Sequence, residues 1–367
     1  MGFIGQVLPA VIVLGVLIFI HELGHFLACR FTGVRVDKFS IGFGPEIFSF
    51  QGRETRYVIS LIPLGGFVKP SGESPEDIPS NGLRPYDFLA QGPGKKFIIA
   101  VAGVLMNFVL AYVIFSGIFM VGNPVLKSTV GGFVDGYPAQ SSGLRAGDLI
   151  REVNGAAVST WNELTGRIME LGNVPLLLTV ERDGSFLTLQ VLPKVEEVTD
   201  AFGKKRALAR IGILPGKAYR IEKYGPAEAL VKGGETVLTF TGLTFKAIGY
   251  LVTGKLSLKA LTGPIGIVAV TSETAKRGLV HIFQLMALLS VSLAVFNLLP
   301  FPPLDGGLMV FILIEAVRRK ALSFRFQEAV AKAGFALLLL LMVAVMYNDL
   351  VQIGFFGKIY QWFQKAG

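Results

Sequence analysis

Hydrophobic positions along this chain fall into two kinds of pattern. Four stretches are almost uninterrupted by polar residues over roughly the 20 positions that a helix needs to cross a bilayer. They run from Ile4 to Cys29, Phe97 to Val121, His281 to Leu299 and Ala331 to Met346, and each predicts a membrane-spanning helix. The first has no basic residue at its start and leads into charged sequence with structure of its own, so it is expected to be retained, not removed as a secretory signal.

Elsewhere the pattern shortens. Val34 to Val68 reads as short strands and turns, with TRYVISLIPLGGFVKP too short for a span and too apolar for a free loop. Two readings fit it: a hairpin bending at Gly65 and Gly66 and dipping against the spans, or a plain cytosolic sheet. Ser71 to Asn81 is an exposed loop by composition. From Lys127 to Lys194 the chain takes on the look of a soluble α+β domain, with a helix ending at MELG and a hairpin, LLLTVERDGSFLTLQVLP, that turns on Asp183 and Gly184. The stretch TVLTFTGLTFKAIGYLVTG is apolar but interrupted by Lys246, threonines and glycines. It is expected to lie on the membrane as an amphipathic helix, because a fifth span there would invert the last two.

Composition agrees with lipid as solvent: of 367 residues 52% are hydrophobic and only 17% charged. The net charge of +9 is spread along the chain, which argues against a nucleic-acid partner and fits basic cytoplasmic loops. Arg30, Arg35, Lys38, Lys95, Lys96, Arg318, Arg319, Lys320 and Arg325 fall on one side if there are four spans. The N-terminus and the long 122–278 region are then outside. The one cysteine, Cys29, permits no internal disulfide and reads as a small buried residue.

The chemistry begins at HELGH. His21 and His25 are four apart, so on a helix both imidazoles leave one face and can grip one ion, while Glu22 beside them can act on a metal-bound water as general base. Such a short pattern recurs by accident in ordinary helices. Inside a lipid-embedded helix it does not, since an ionised residue there costs about 2.5–3.5 kcal/mol on insertion scales. A catalytic zinc takes three protein ligands. His281, the remaining histidine, starts the third span on its outer side and reads as an interfacial residue. Asp305, in FNLLPFPPLDGG just beyond the third span, is the better third ligand, with a simple Asp-Gly turn as the plainer alternative.

Two resemblances follow from these residues. SGLRAGDLIREVNG resembles the core of a bacterial PDZ domain, which takes an extended peptide as an added strand. HELGH together with NLLPFPPLDG resembles the site-2 protease family of intramembrane metalloproteases over nearly the whole chain, and the PDZ segment makes it similar to the regulator-of-sigma-E protease branch. The resemblance implies His21, His25 and Asp305 as zinc ligands, Glu22 as base, and Asn297, Pro300, Pro302 and Asn107 as substrate-binding residues. Gly103, in the same GxxxN element as Asn107, also has the simpler reading of close helix packing. The implied substrate is a single-span membrane protein already shortened by another protease, such as an anti-sigma factor. The implied location is the bacterial inner membrane, with the N-terminus and PDZ domain extracytoplasmic and the active site towards the cytoplasm. The best-known enterobacterial member carries two PDZ domains; this chain shows one.

The expected fold is thus a multi-span α-helical membrane protein of about four transmembrane helices with a cytoplasmic membrane-associated β-hairpin or sheet and one extracytoplasmic α+β PDZ domain. In sequence order the expected segments are 1–30 (first span), 31–95 (β-rich loop), 96–121 (second span), 122–195 (PDZ domain) and 196–278 (linker and amphipathic helix). They continue as 279–316 (third span with the LDG motif), 317–330 (cytoplasmic loop), 331–348 (fourth span) and 349–367 (tail). The rival readings are a membrane-anchored protease acting on soluble substrates and a non-catalytic adaptor or receptor working through its PDZ domain alone.

Overall fold

The computed structural model describes residues 3–80, 82–199, 205–352 and 354. The chain opens with helix α1 (Phe3–Thr32), strands β1 (Val36–Gln51) and β2 (Arg56–Pro70), and helix α2 (Pro93–Val121). Next come β3 (Asn123–Leu126), β4 (Val130–Phe133), β5 (Leu149–Val153), β6 (Ala156–Ala157), α3 (Trp161–Leu171), β7 (Leu176–Arg182) and β8 (Ser185–Val191). Then follow β9 (Lys194–Thr199), β10 (Lys205–Arg210), β11 (Ile213–Pro215) and β12 (Tyr219–Glu222). Five helices close the described chain: α4 (Pro226–Val252), α5 (Pro264–Arg277), α6 (Leu279–Asn297), α7 (Asp305–Arg318) and α8 (Phe324–Gln352). They form two compact units, one from the described residues of Met1–Gly117, Leu230–Ile248 and Ser257–Gly367, the other from Ile118–Ala229 and Gly249–Leu256.

In the first unit, α1, α2, α6 and α8 are the helices long and apolar enough to span a bilayer among the described residues. Val13, Leu17 and Met286 form one buried cluster of this bundle, flanked by Leu110 and Ile114 of α2. Ala100, Val104, Ala294, Met309 and Ile312 form another, between α2, α6 and α7. Between α6 and α2, Ser290 Oγ donates to the Asn107 backbone carbonyl at 2.8 Å. Asp349 of α8 is buried and accepts from the Gly263 and Gly266 amides at 3.1 and 2.9 Å, capping the first turn of α5.

Two segments of the helical part differ from the sequence expectation. The segment 279–316 is two helices, because Pro300, Pro302 and Pro303 remove donors and fix backbone angles, so α6 stops at Asn297 and α7 restarts at Asp305. The last helix spans Phe324–Gln352, longer than 331–348, because its polar ends continue the helix beyond the apolar stretch. Of the expected tail, residue 353 and residues 355–367 lie outside the described residues.

Strands β1 and β2 are long and bent, so each pairs twice. Residues 36–41 pair with 66–70 on one side and 56–59 on the other, while 46–51 pair only with 56–60. The result is a four-stranded ribbon in the order 46–51, 56–62, 36–43, 66–70, in which the two outer pairs are antiparallel and the central pair runs in one direction. Gly65 takes φ +131° where β2 folds back, and a side chain there would strike the Phe43 ring. Helix α4 crosses α2 where Gly233 meets Ser116 and the Phe115 and Phe240 rings stack. Thr236, Thr239, Thr241 and Thr244 each return a hydroxyl to the carbonyl four residues back, which lets a threonine-rich helix sit against apolar surroundings.

The second unit packs α3 against a sheet in the order β6-β5-β7-β8 around Ile150, Val153, Leu164, Leu176, Leu178 and Val180. Thr160 and Glu163 form a reciprocal capping box at the start of α3. The Asp183-Gly184 turn joins β7 to β8 with Arg182 opposite Ser185 and positive φ at both turn residues. The unit is longer than 122–195: β11 pairs with β4 and β12 with β3, so strands expected in a linker complete it. Their partners lie about 80 to 100 residues upstream, and short-range pattern carries no sign of such pairing.

Candidate metal centre

His21 and His25 project from one face of α1, one turn apart, with their Nε2 atoms 3.3 Å from each other. Asp305, the first residue of α7, brings Oδ2 to 3.0 Å from His21 Nε2 and 3.5 Å from His25 Nε2. That oxygen is buried and makes no aligned hydrogen bond to either ring. Three ligand atoms each about 2.1 Å from one tetrahedral zinc would stand ~3.4 Å apart. The N, N, O set therefore suits a single such ion, and it is the metal-competent His/Cys/Asp/Glu cluster among the described residues.

The far side of each imidazole is tied down. His25 Nδ1 lies 2.8 Å from the Ile99 carbonyl and must donate to it, which leaves the lone pair on Nε2, facing the cluster. His21 Nδ1 lies 3.2 Å from the Asn107 amide nitrogen, while Asn107 Oδ1 is buried without a partner. Turning the amide over places Oδ1 at His21 Nδ1–H, satisfies both groups and gives His21 the same tautomer as His25. Asn107 thus stands behind the cluster, and Asn297 Nδ2 is 3.4 Å from His21 Nε2.

Glycine makes the approach possible. A side chain at Gly103 would reach 2.3 Å from His25 Nε2, and one at Gly24 would reach 2.4 Å from the Ala102 carbonyl, so α1 and α2 meet without Cβ atoms at this depth. Gly306 and Gly307 likewise lie against the backbone of 298–302, and Gly334 of α8 receives the Pro302 carbonyl. Pro300 and Pro302 belong to this tightly packed bend, which aims Asp305 inward. His281 stands at the start of α6, outside the cluster.

Beside the cluster is a cavity of about 170 Å³, walled by Glu22, Phe67, Val68, Glu73, Phe88 and Leu308 among others. Glu22 accepts a hydrogen bond from the Val68 amide at 3.0 Å. A Cβ on Gly66 would come 3.4 Å from Glu22 Cγ, so the strand runs directly along α1. Glu73 also lines the cavity: burial, followed by its neighbour Asp77, pushes its carboxyl up to about 7, although the side chain stays open at the mouth. Sequence reading missed Glu73, which sits in a Ser/Pro/Glu/Asp-rich loop and carries no motif. It also missed the Val68 amide, since a backbone donor leaves no mark in residue identity.

Comparison with known proteins adds the family. The model of peptidase family M50 matches residues 9–341. The chain is 36% identical to "Putative zinc metalloprotease Atu1380" of Agrobacterium fabrum over 95% of this chain and 97% of that protein. It is 30% identical to "Regulator of sigma-W protease RasP" of Bacillus subtilis over 96% and 99% of the two chains. Among solved structures, the PDZ domain of the SdrC-like protein of Listeria innocua aligns over 25% of this chain and 96% of its own length, at 20% identity and a TM-score of 0.21. With the M50 match covering most of its length, the chain belongs to peptidase family M50, the site-2 proteases, and is a membrane-embedded zinc metalloprotease.

Proposed function

We propose that the protein cleaves a peptide bond within the transmembrane segment of a single-span membrane protein, with His21, His25 and Asp305 holding the zinc and Glu22 as the general base. The convergence of Asp305 on the histidine pair, some 280 residues away in sequence, carries this reading. Bound there, zinc would polarise the scissile carbonyl and lower the pKa of a bound water towards 7. Glu22 takes the proton from the attacking water and delivers it to the leaving amine. Asn107 and the Ile99 carbonyl orient the imidazoles, and Asn297 with the Pro300–Pro302 bend shapes the substrate side.

A transmembrane helix hides its carbonyls in its own hydrogen bonds, so the substrate must unwind before hydrolysis. The 66–70 edge of β2 beside Glu22 supports capture of the unwound segment as an added strand. The exposed Ile47, Phe48, Phe50, Ile59 and Leu61 support a ribbon dipping into the bilayer.

The second unit is read as a PDZ domain, extracytoplasmic, on a protein of the bacterial inner membrane whose active site faces the cytoplasm. Its apolar groove of about 420 Å³, between Trp161, Ile168 and Met169 of α3 and Ile213 to Pro215, suits the end of a pre-trimmed chain. A substrate such as an anti-sigma factor is the one implied by the family resemblance, and the Bacillus relative is named "Regulator of sigma-W protease RasP". Helix α4 lies along the membrane surface in this arrangement.

The test is purified protein in detergent with a labelled single-span substrate. Glu22→Gln should lower the internal cut by about 10²–10⁴-fold, the range for loss of a general base, and chelator should abolish it. Cleavage that survives either treatment removes the mechanism and favours the adaptor reading.

A further inference from the structure

The inner edge of the β-ribbon offers very few hydrogen-bond donors, and the residue at work in the reaction already holds one of them. Along an antiparallel strand, successive amides point alternately to the two sides. Ser71 N–H donates towards β1, to the Arg35 carbonyl at 2.8 Å, so Lys69 and Phe67 face β1 as well. Pro70, Val68 and Gly66 then face the free edge. Pro70 has no N–H. The edge of 66–70 therefore presents two donors, Gly66 and Val68, and the Val68 amide is engaged by Glu22 Oε2 at 3.0 Å.

A peptide strand added to this edge in register with Val68 needs that same amide, because a hydrogen-bonded pair exchanges both N–H and C=O. Glu22 and the incoming strand compete for one proton. We propose that Glu22 is the resting occupant of the strand edge and that substrate strand addition displaces it, so that capture of an unwound segment and release of the base are one event. Glu22 is held away from reaction until a backbone takes its place. A fully wound helix, with no free carbonyl to offer, leaves the latch closed. The inference rests on the strand-addition reading above and adds to it the coupling between edge and base.

The experiment measures binding, not turnover. The probe is a fluorescent, end-capped ten-residue Leu/Ala peptide whose central amide is reduced to a methylene-amine and so cannot be hydrolysed. It is titrated into full-length protein in detergent. Removing the competitor in Glu22→Ala should tighten binding about 10- to 100-fold, the worth of one hydrogen bond to a charged group, with Glu22→Gln falling between. In the Glu22→Ala background, where no carboxylate competes, replacing the Val68 amide by an ester, through α-hydroxyisovalerate at position 68, should weaken binding about five- to tenfold, the worth of one neutral hydrogen bond. With Glu22 present the ester removes the latch together with the peptide's hydrogen bond, so the two losses offset one another, and Glu22→Ala in the ester protein should bring no gain. If the ester weakens binding to the Glu22→Ala protein while Glu22→Ala itself does not tighten it, strand addition stands and the competition is wrong. If the ester leaves binding to the Glu22→Ala protein unchanged, strand addition at Val68 itself falls, and the competition with it. Amide exchange of the 66–70 segment in the peptide-free protein gives an independent reading: Glu22→Ala should speed it about tenfold, and unchanged exchange overturns the latch.

Discussion

The two units of this protein use the same apolar residues in opposite ways. In the α+β unit, Leu176, Leu178 and Val180 are fully buried around one apolar core, and the buried charge Asp148 is paired with Arg182. In the helical unit many of the largest apolar side chains, among them Leu105, Val113 and Leu340, face outward, while His21, Asn107, Ser290 and Asp349 are buried. Lipid removes the hydrophobic drive to associate, so the helices are held by small residues that let backbones touch and by hydrogen bonds between buried polar groups. A site built from such groups costs the helical unit little additional structure, because buried polar contacts already hold it together.

The comparison can be broken by paired substitutions. Leu178→Ala in the α+β core should destabilise that unit by about 2–5 kcal/mol, read from its unfolding transition, whereas Leu340→Ala on α8 should stay within about 0.5 kcal/mol. Comparable losses at both positions would mean that α8 buries this face against protein.

Arg182→Ala strips the bidentate partner from Asp148, which is 1% exposed. Burial alone would raise the Asp148 carboxyl, but Arg182 and the Arg145 amide outweigh it and hold it below the ordinary range. A carboxylate with a depressed folded-state pKa contributes stability above its unfolded value near 3.9 and loses it as pH falls through the folded value. The Arg182→Ala penalty should therefore be largest at neutral pH and shrink below pH ~4 in chemical-denaturation curves.

Glycine sharpens the contrast further, because one substitution should change sign between the units. Gly103→Ala drives a methyl group into the His25 ring and should lower zinc affinity about 10- to 100-fold in chelator competition, the usual cost of disturbing a ligand's surroundings. Gly166→Ala, in the middle of α3 with open space around it, should instead stabilise its unit by about 0.5–1 kcal/mol in thermal unfolding. A neutral Gly103→Ala would show that α1 and α2 can part without disturbing the site.

Residue pattern went a long way where the signal is local. Four apolar stretches gave the spanning helices, the Asp183-Gly184 pair gave its hairpin turn, and HELGH placed two imidazoles and a carboxylate on one turn of α1. The LDG segment pointed to Asp305 just beyond a third span that ends near Leu299, and the structure adds that Asp305 opens a helix of its own, α7. Residues without motif or periodicity stayed hidden. Glu73 looked like one acid among several in a polar loop, and β11 and β12 looked like linker.

By itself the sequence determined that this chain lives in a membrane and carries the chemistry of a metalloprotease, since hydropathy and the spacing of histidines on a helix are properties of neighbouring residues. Tertiary structure alone decided what surrounds that chemistry. Asp305 reaches His21 only because glycines at 306, 307 and 334 let backbones close on one another. Asn107 and Ile99 set the imidazole tautomers from a different helix, and the Val68 amide meets Glu22 only because β2 doubles back along α1. Each of these is a contact between distant backbones or through a backbone group, and residue identity along the chain does not encode which amide faces which carboxylate.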